Sequence, residues 1–249
     1  MEHSIFSFIW KYSRRDQLVL LVLTLITFPI LYITLELPKP VIVTGAMRPL
    51  TVADTDGTAN LIDALAAART APAGVWVQFG GKRLHGGRVR KAHSQALDAF
   101  TAAPTDREPR VTALDPQLSP LRPQEVALLT VTPGFSAALL DHAATTCDGI
   151  VLRCFGAGTV PDSPALRAVL RKAQGKGVPV VAVSQCAEGG MQIGTYAAGK
   201  ALRDSGVVDG GQMTAEAAFV KIHLALSCFA QFDAQHAYLA ADQCGEMAD

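Results

Sequence analysis

The chain has 249 residues, 49% of them hydrophobic and 18% charged, which is enough apolar content to bury a core in one large domain or two small ones and excludes disorder for its bulk. Twenty-two basic residues balance twenty-two acidic ones, so net charge offers no attraction to nucleic acid or to anionic lipid. The five cysteines, at 147, 154, 186, 228 and 244, include no CxxC pair, and the six histidines form no HExxH or HxH array, a pattern that predicts reduced thiols and no metal site.

The first 39 residues differ in kind from the rest. Leu18 to Leu35 is a run of eighteen residues without a formal charge, thirteen of them Leu, Val, Ile or Phe. On an insertion scale the apolar set contributes roughly −5 kcal/mol, and a helix of that length rises about 27 Å, close to a hydrocarbon core. The run predicts a transmembrane helix, with membrane contact through residues 18–37. Lys11, Arg14 and Arg15 precede it, so the positive-inside tendency places the amino terminus in the cytoplasm and the body across the membrane. A cleaved signal peptide is disfavoured because ITLELPKP offers no small-x-small site, and a soluble core helix would carry a fuller polar stripe. The amphipathic SIFSFIWKYSRRDQ, the apolar run and ELPK together resemble the first transmembrane segment of an ABC exporter, although no GxxxxGK[ST] motif occurs anywhere.

After Pro40 the pattern becomes short β-branched runs alternating with alanine-rich stretches, the sequence form of an α/β protein on a largely parallel sheet. Val41 to Thr44 predicts a strand entering the GAMRP turn, and Asn60 to Arg69 a helix. Val75 to Phe79 and Gly87 to Lys91 predict strands around Gly80 and Gly81, with a short helix through Phe100. Thr101 to Gln124 holds five prolines and reads as a linker. Strands at Val126 to Thr130, Gly149 to Arg153 and Val178 to Ser184 then alternate with helices near Ser136 to Ala144, Ser163 to Gln174 and Met213 to Leu226. The resulting division is 1–39 membrane segment, 40–103 partial amino-terminal domain, 104–124 linker, 125–230 carboxyl-terminal domain and 231–249 a weakly periodic, fraying tail.

Reactive groups in such sheets lie in loops beyond the carboxyl ends of strands. The blocks found there are TGAMRP at Thr44 to Pro49, DTDGTANL at Asp54 to Leu61, GGRVRKAHSQALDAF at Gly86 to Phe100, TPGFSA at Thr132 to Ala137, RCFGAGTVP at Arg153 to Pro161 and SQCAEGGMQIGTYAAG at Ser184 to Gly199. In this order they resemble the L-asparaginase/glutaminase family, specifically its bacterial cytoplasmic type I branch, from about residue 40 to 226. The resemblance implies a truncated asparaginase-like two-domain fold and hydrolysis of the side-chain amide of L-asparagine to L-aspartate and ammonia. It also implies a homo-oligomer and no cofactor. Lys91 matches the family's catalytic lysine, which favours the alkoxide of a threonine within hydrogen-bond reach. The family's TGGTIA-like and HGTDT-like blocks, which carry its two nucleophilic threonines, are absent, and the resemblance therefore implies impaired catalysis. It further assigns Arg153, Ser184 and Cys186 to an allosteric pocket for asparagine or a similar small amino acid, with Arg153 clamping an α-carboxylate bidentately. Arg90 departs from the pattern, standing where the branch has a small polar residue. The alternatives are a membrane-anchored amino-acid sensor and a rearranged gene product without function.

The remaining candidates have plainer readings. Arg153 could instead cap a strand end through backbone carbonyls. Thr44, in the TGAMRP block, and Ser94, three residues after Lys91, lack the family's strand-turn placement. His85 and His93 read as exposed loop histidines, and Lys82, Arg83, Arg88 and Arg90 as a solvated basic hairpin without the interleaved aromatics of a nucleic-acid footprint.

Overall fold

The computed structural model describes residues 40–109, 121–161, 163–194 and 197–247. The apolar run at 18–35, and with it the transmembrane and exporter-like readings, lies outside the described residues. Among those residues no helix is long and apolar enough to cross a membrane.

The amino-terminal unit begins with β1 (Pro40–Val43), followed by α1 (Gly57–Thr70), β2 (Gly74–Phe79) and β3 (Lys82–His85). β1 and β2 run parallel with Pro40 opposite Gly74, and β2 and β3 form a hairpin with Trp76 opposite His85. The sheet order is β1-β2-β3, so β1 is an edge among the described strands, half-buried along its whole length. The hairpin is closed by Gly80 and Gly81, with φ of 58° and 73°. Two successive left-handed residues are what a two-residue primed turn requires.

The DTDGTANL block folds back on the GAMRP turn. Asp56 precedes α1 without capping it, and its carboxylate instead accepts from the Met47 and Arg48 backbone N–H groups at 3.0 and 2.9 Å and from Asn60 Nδ2 at 3.0 Å. Buried Asn60 also donates to Gly45 O at 2.9 Å and accepts from Gly80 N at 3.0 Å, tying two turns to one side chain. Gly57 opens α1 because a Cβ there would lie 2.4 Å from Leu50 Cδ2.

β4 (Val89–Lys91) and β5 (Phe100–Ala102) form a second hairpin with Lys91 opposite Phe100. The helix expected through Phe100 is not formed. His93 Nδ1 accepts from the Gln95 and Ala96 backbone N–H groups and bends the chain, while Ala99 O receives Ala92 N and His93 N. Burial decides the outcome: Phe100 stacks edge-on against Phe79 at 4.8 Å and closes a core with Val77, Val89 and Ala99.

The carboxyl-terminal unit contains β6 (Val126–Thr130), α2 (Ala137–Thr146), β7 (Gly149–Cys154), α3 (Pro164–Gly175), β8 (Val180–Ser184), α4 (Ala197–Arg203), β9 (Val208–Asp209), α5 (Ala215–Cys228) and α6 (Phe232–Ala240). Its four strands are all parallel in the order β6-β7-β8-β9. Ser136, Ser163 and Thr214 cap the starts of α2, α3 and α5 by accepting the N–H three residues on. Ile150, Leu152, Val180 and Ala182 face the core under α2 and α3, whereas Val151, Val181 and Val183 face Ile222 of α5 and Leu239 of α6. Burial on both faces is why these strands read as unbroken apolar runs.

The tail is not frayed. Residues 232–240 form α6, and Cys244 joins Val75 of β2 and Val220 and Leu224 of α5 in a small core that joins the two units. Beneath it, Lys221 of α5 and Glu246 pair at 2.7 Å, both side chains fully buried. The carboxyl-terminal domain therefore extends past 230 to at least residue 247.

Candidate functional site

The carboxyl ends of β7 and β8 and strand β4 of the other unit face one cavity of about 690 Å³. It is lined by Arg88, Arg90 and Lys91 from the β4 segment and by Arg153, Ser184, Cys186, Gln212 and Glu216 from the carboxyl-terminal unit, among others. The four residues singled out from sequence, Lys91, Arg153, Ser184 and Cys186, thus share one space although they come from both halves of the chain.

Arg153 sits at the penultimate position of β7, half-buried. Its carbonyl accepts from Val131 N at 2.9 Å and from Gln185 Nε2 at 3.0 Å, which pins the strand end. Its guanidinium caps no carbonyl: among the described residues it makes no hydrogen bond or ion pair, and its Nε is buried without a partner. A buried donor left unfilled costs roughly 1–3 kcal/mol, and an incoming carboxylate would recover it. Ser184 is already engaged, with Oγ donating to Gly156 O at 3.0 Å and accepting from Cys186 N at 2.9 Å. It shapes the turn that presents Cys186, whose exposed Sγ occupies the space a Cβ on Gly156 would take, 2.6 Å away.

Lys91 is half-buried, and its Nζ lies 5.9 Å from the Phe100 ring centroid. Among the described residues no hydroxyl hydrogen-bonds to it. Thr44 Oγ1 is directed to Asn60 O, and Ser94 is an exposed residue of the β4–β5 loop.

Arg88 and His85 correct the sequence reading, since neither is solvated. Arg88 is 1% exposed. Its Nε donates to Ala103 O at 3.1 Å and its Nη2 to Gln212 Oε1 at 2.9 Å and Pro104 O at 3.3 Å, while Nη1 reaches Gly245 O and Glu246 O at 3.5 and 3.4 Å. Acceptors on all three nitrogens make full burial tolerable, and the side chain fastens the β4 segment to the other unit and to the tail. His85 is buried, and burial together with the Arg88 charge lowers its pKa to about 4 against a smaller upward pull from Glu246, so its ring is neutral at pH 7. Of the remaining basic hairpin, Lys82 pairs with Asp98 at 2.6 Å and Arg83 lies over the Trp76 ring at 5.1 Å. Among the described residues no group of three or more His, Cys, Asp or Glu side chains is placed to hold a metal ion.

Comparison with known proteins decides the family. Residues 27–117 match the asparaginase amino-terminal domain, and residues 125–239 match the glutaminase/asparaginase carboxyl-terminal domain. The thermostable L-asparaginase from Thermococcus kodakarensis superposes with a TM-score of 0.84 at 31% identity, over 91% of this chain and 74% of that one.

The chain belongs to the L-asparaginase/glutaminase family.

It is type I-like: L-asparaginase I from Vibrio cholerae superposes with a TM-score of 0.80 at 31% identity, over 90% of this chain and 73% of that one. L-asparaginase 1 of Escherichia coli (strain K12) is 35% identical over 208 residues, 77% of this chain and 62% of the relative. The chain therefore spans about 62% of the length of that relative. The amino-terminal family match begins at residue 27, inside the apolar run. At the other end the family match reaches residue 239, inside α6.

Proposed function

We propose that this asparaginase-family chain binds the carboxylate of a small amino acid, with L-asparagine the ligand its relatives imply, in the cavity between its two units, and that it hydrolyses the amide slowly or not at all. The observation that carries the binding is the Arg153 guanidinium, which lines the cavity without an acceptor among the described residues. The planar fork of arginine matches the two oxygens of a carboxylate.

The impairment rests on Lys91. An ammonium or amine promotes attack only when it can exchange a proton with a nucleophile within about 3 Å, and the described residues bring no hydroxyl to it. Loss of a nucleophile leaves only the residual rate from binding and oriented dipoles, several orders of magnitude down.

Two measurements on the purified chain test this reading. Ammonia release from L-asparagine should stay at background in wild type and in Lys91→Ala alike; substantial turnover that Lys91→Ala abolishes refutes the impairment. Calorimetry with L-asparagine should give binding heat for wild type and none for Arg153→Ala, and silence in both removes the binding assignment.

A further inference from the structure

We infer that the cavity selects a small dicarboxylate over the corresponding amide, so that L-aspartate rather than L-asparagine is its tighter ligand. This rests on the reading of Arg153 as the clamp for the first carboxylate. The observation behind it is that Arg153 is not the only cation there. Arg90 and Lys91, both half-buried, line the same cavity, and neither side chain forms an ion pair or hydrogen bond among the described residues. Lys91 keeps its Nζ 5.9 Å from the Phe100 ring centroid, a contact that leaves its charge without a counter-ion.

Arg88 adds a fourth positive charge to the wall, its donors spent on carbonyls and on Gln212. The carboxylate of Glu246 behind it is committed to Lys221. Among the described residues the acids on the wall are Glu188 and Glu216, both exposed, and neither pairs with these cations. Four positive charges against two negative ones leave an excess of two in a protein whose net charge is zero.

Like charges gathered at the edge of a low-dielectric space repel, and a ligand carrying two carboxylates relieves that repulsion twice where an amide relieves it once. The amide of asparagine presents an NH₂ donor that a guanidinium cannot accept, whereas the second carboxylate of aspartate supplies two acceptors in matching geometry. Arg90 is therefore assigned as the residue that reads the distal carboxylate.

The test is calorimetric titration of the full chain with L-aspartate and, separately, L-asparagine, on wild type, Arg90→Thr, Arg90→Lys and Arg153→Ala, with circular dichroism to confirm that each variant is folded. A charge-assisted contact sets the expected preference for L-aspartate at roughly tenfold or more in wild type. That preference should be retained in part by Arg90→Lys, lost in Arg90→Thr and weakened by added salt. Asparagine binding as tightly as aspartate to wild type, with both lost in Arg153→Ala, overturns the dicarboxylate assignment and leaves the Arg153 clamp standing. So does a preference that Arg90→Thr leaves unchanged. Binding of neither ligand, or binding indifferent to Arg153→Ala, overturns the clamp itself.

Discussion

Glu246→Ala should be among the most destabilising single substitutions in the protein. The Glu246 carboxylate is fully buried, 2.7 Å from the equally buried Lys221 ammonium, and it also accepts from the backbone N–H groups of Gln243 and Cys244 at 3.1 and 2.8 Å. Burial alone would raise its pKa, but the charge and hydrogen bond of Lys221 outweigh burial and hold it at about 2 instead of 4.5. That difference corresponds to about 3 kcal/mol of native-state stabilisation at neutral pH, in line with the roughly 3–5 kcal/mol lost when one partner of a buried pair is removed. The substitution leaves the buried Lys221 ammonium with only Ala241 O and Met247 Sδ, and unties the turn whose Gly245 and Glu246 carbonyls hold Arg88, so the two units loosen together. With a sensitivity of roughly 2–4 °C per kcal/mol for a protein of this size, a loss of about 3 kcal/mol should lower the melting temperature by about 6–12 °C. Differential scanning calorimetry on Glu246→Ala, and on the cycle of Lys221→Met, Glu246→Leu and the Lys221→Met/Glu246→Leu double variant, measures it. The double variant should cost much less than the sum of the singles, because no buried charge is left unpaired. A loss under about 1 kcal/mol for Glu246→Ala, or strict additivity in the cycle, would refute the reasoning.

Acid should destabilise the protein in two stages. His85 is held neutral with a pKa near 4 against 6.5 when unfolded, so the unfolded state takes up the proton first as pH falls; its share, about 3 kcal/mol, is present above pH 6.5 and lost by about pH 4. Glu246 is the depressed carboxylate, and its contribution is present above pH 4.5 and lost as pH falls toward 2. Urea midpoints across pH 7 to 4 should show a slope that His85→Gln flattens, and an equal slope in the variant would count against the buried neutral histidine. Asn60→Ala removes a side chain that serves Gly45 O, Gly80 N and Asp56 at once, and chemical denaturation should report a loss of about 2–3 kcal/mol.

Much of the carboxyl-terminal unit is legible in the sequence because β7 and β8 are buried on both faces, leaving continuous runs such as Gly149 to Cys154 and Val180 to Ser184 that few other contexts produce. The elements that escaped had weaker local signals. β9 is two residues long, α4 contains a glycine, and α6 spreads Phe232, Tyr238 and Leu239 without an apolar stripe. The false helix before Phe100 came from a helix-compatible SQALDAF whose last residues are claimed by the Val77 and Phe79 core, a tertiary override of local preference. For the candidate site, the family blocks single out Lys91, Arg153, Ser184 and Cys186. They do not single out Arg88 and Glu246, because their contact spans 158 positions and nothing local marks a buried arginine or glutamate.

A crystal of this chain grown with L-asparagine, or with the L-aspartate expected to bind more tightly, tests the central claim most directly. The account predicts the ligand's α-carboxylate lying across the Arg153 guanidinium, with no serine or threonine oxygen against Lys91 Nζ. A side-chain oxygen hydrogen-bonded to that nitrogen, or esterified by the ligand, would contradict it.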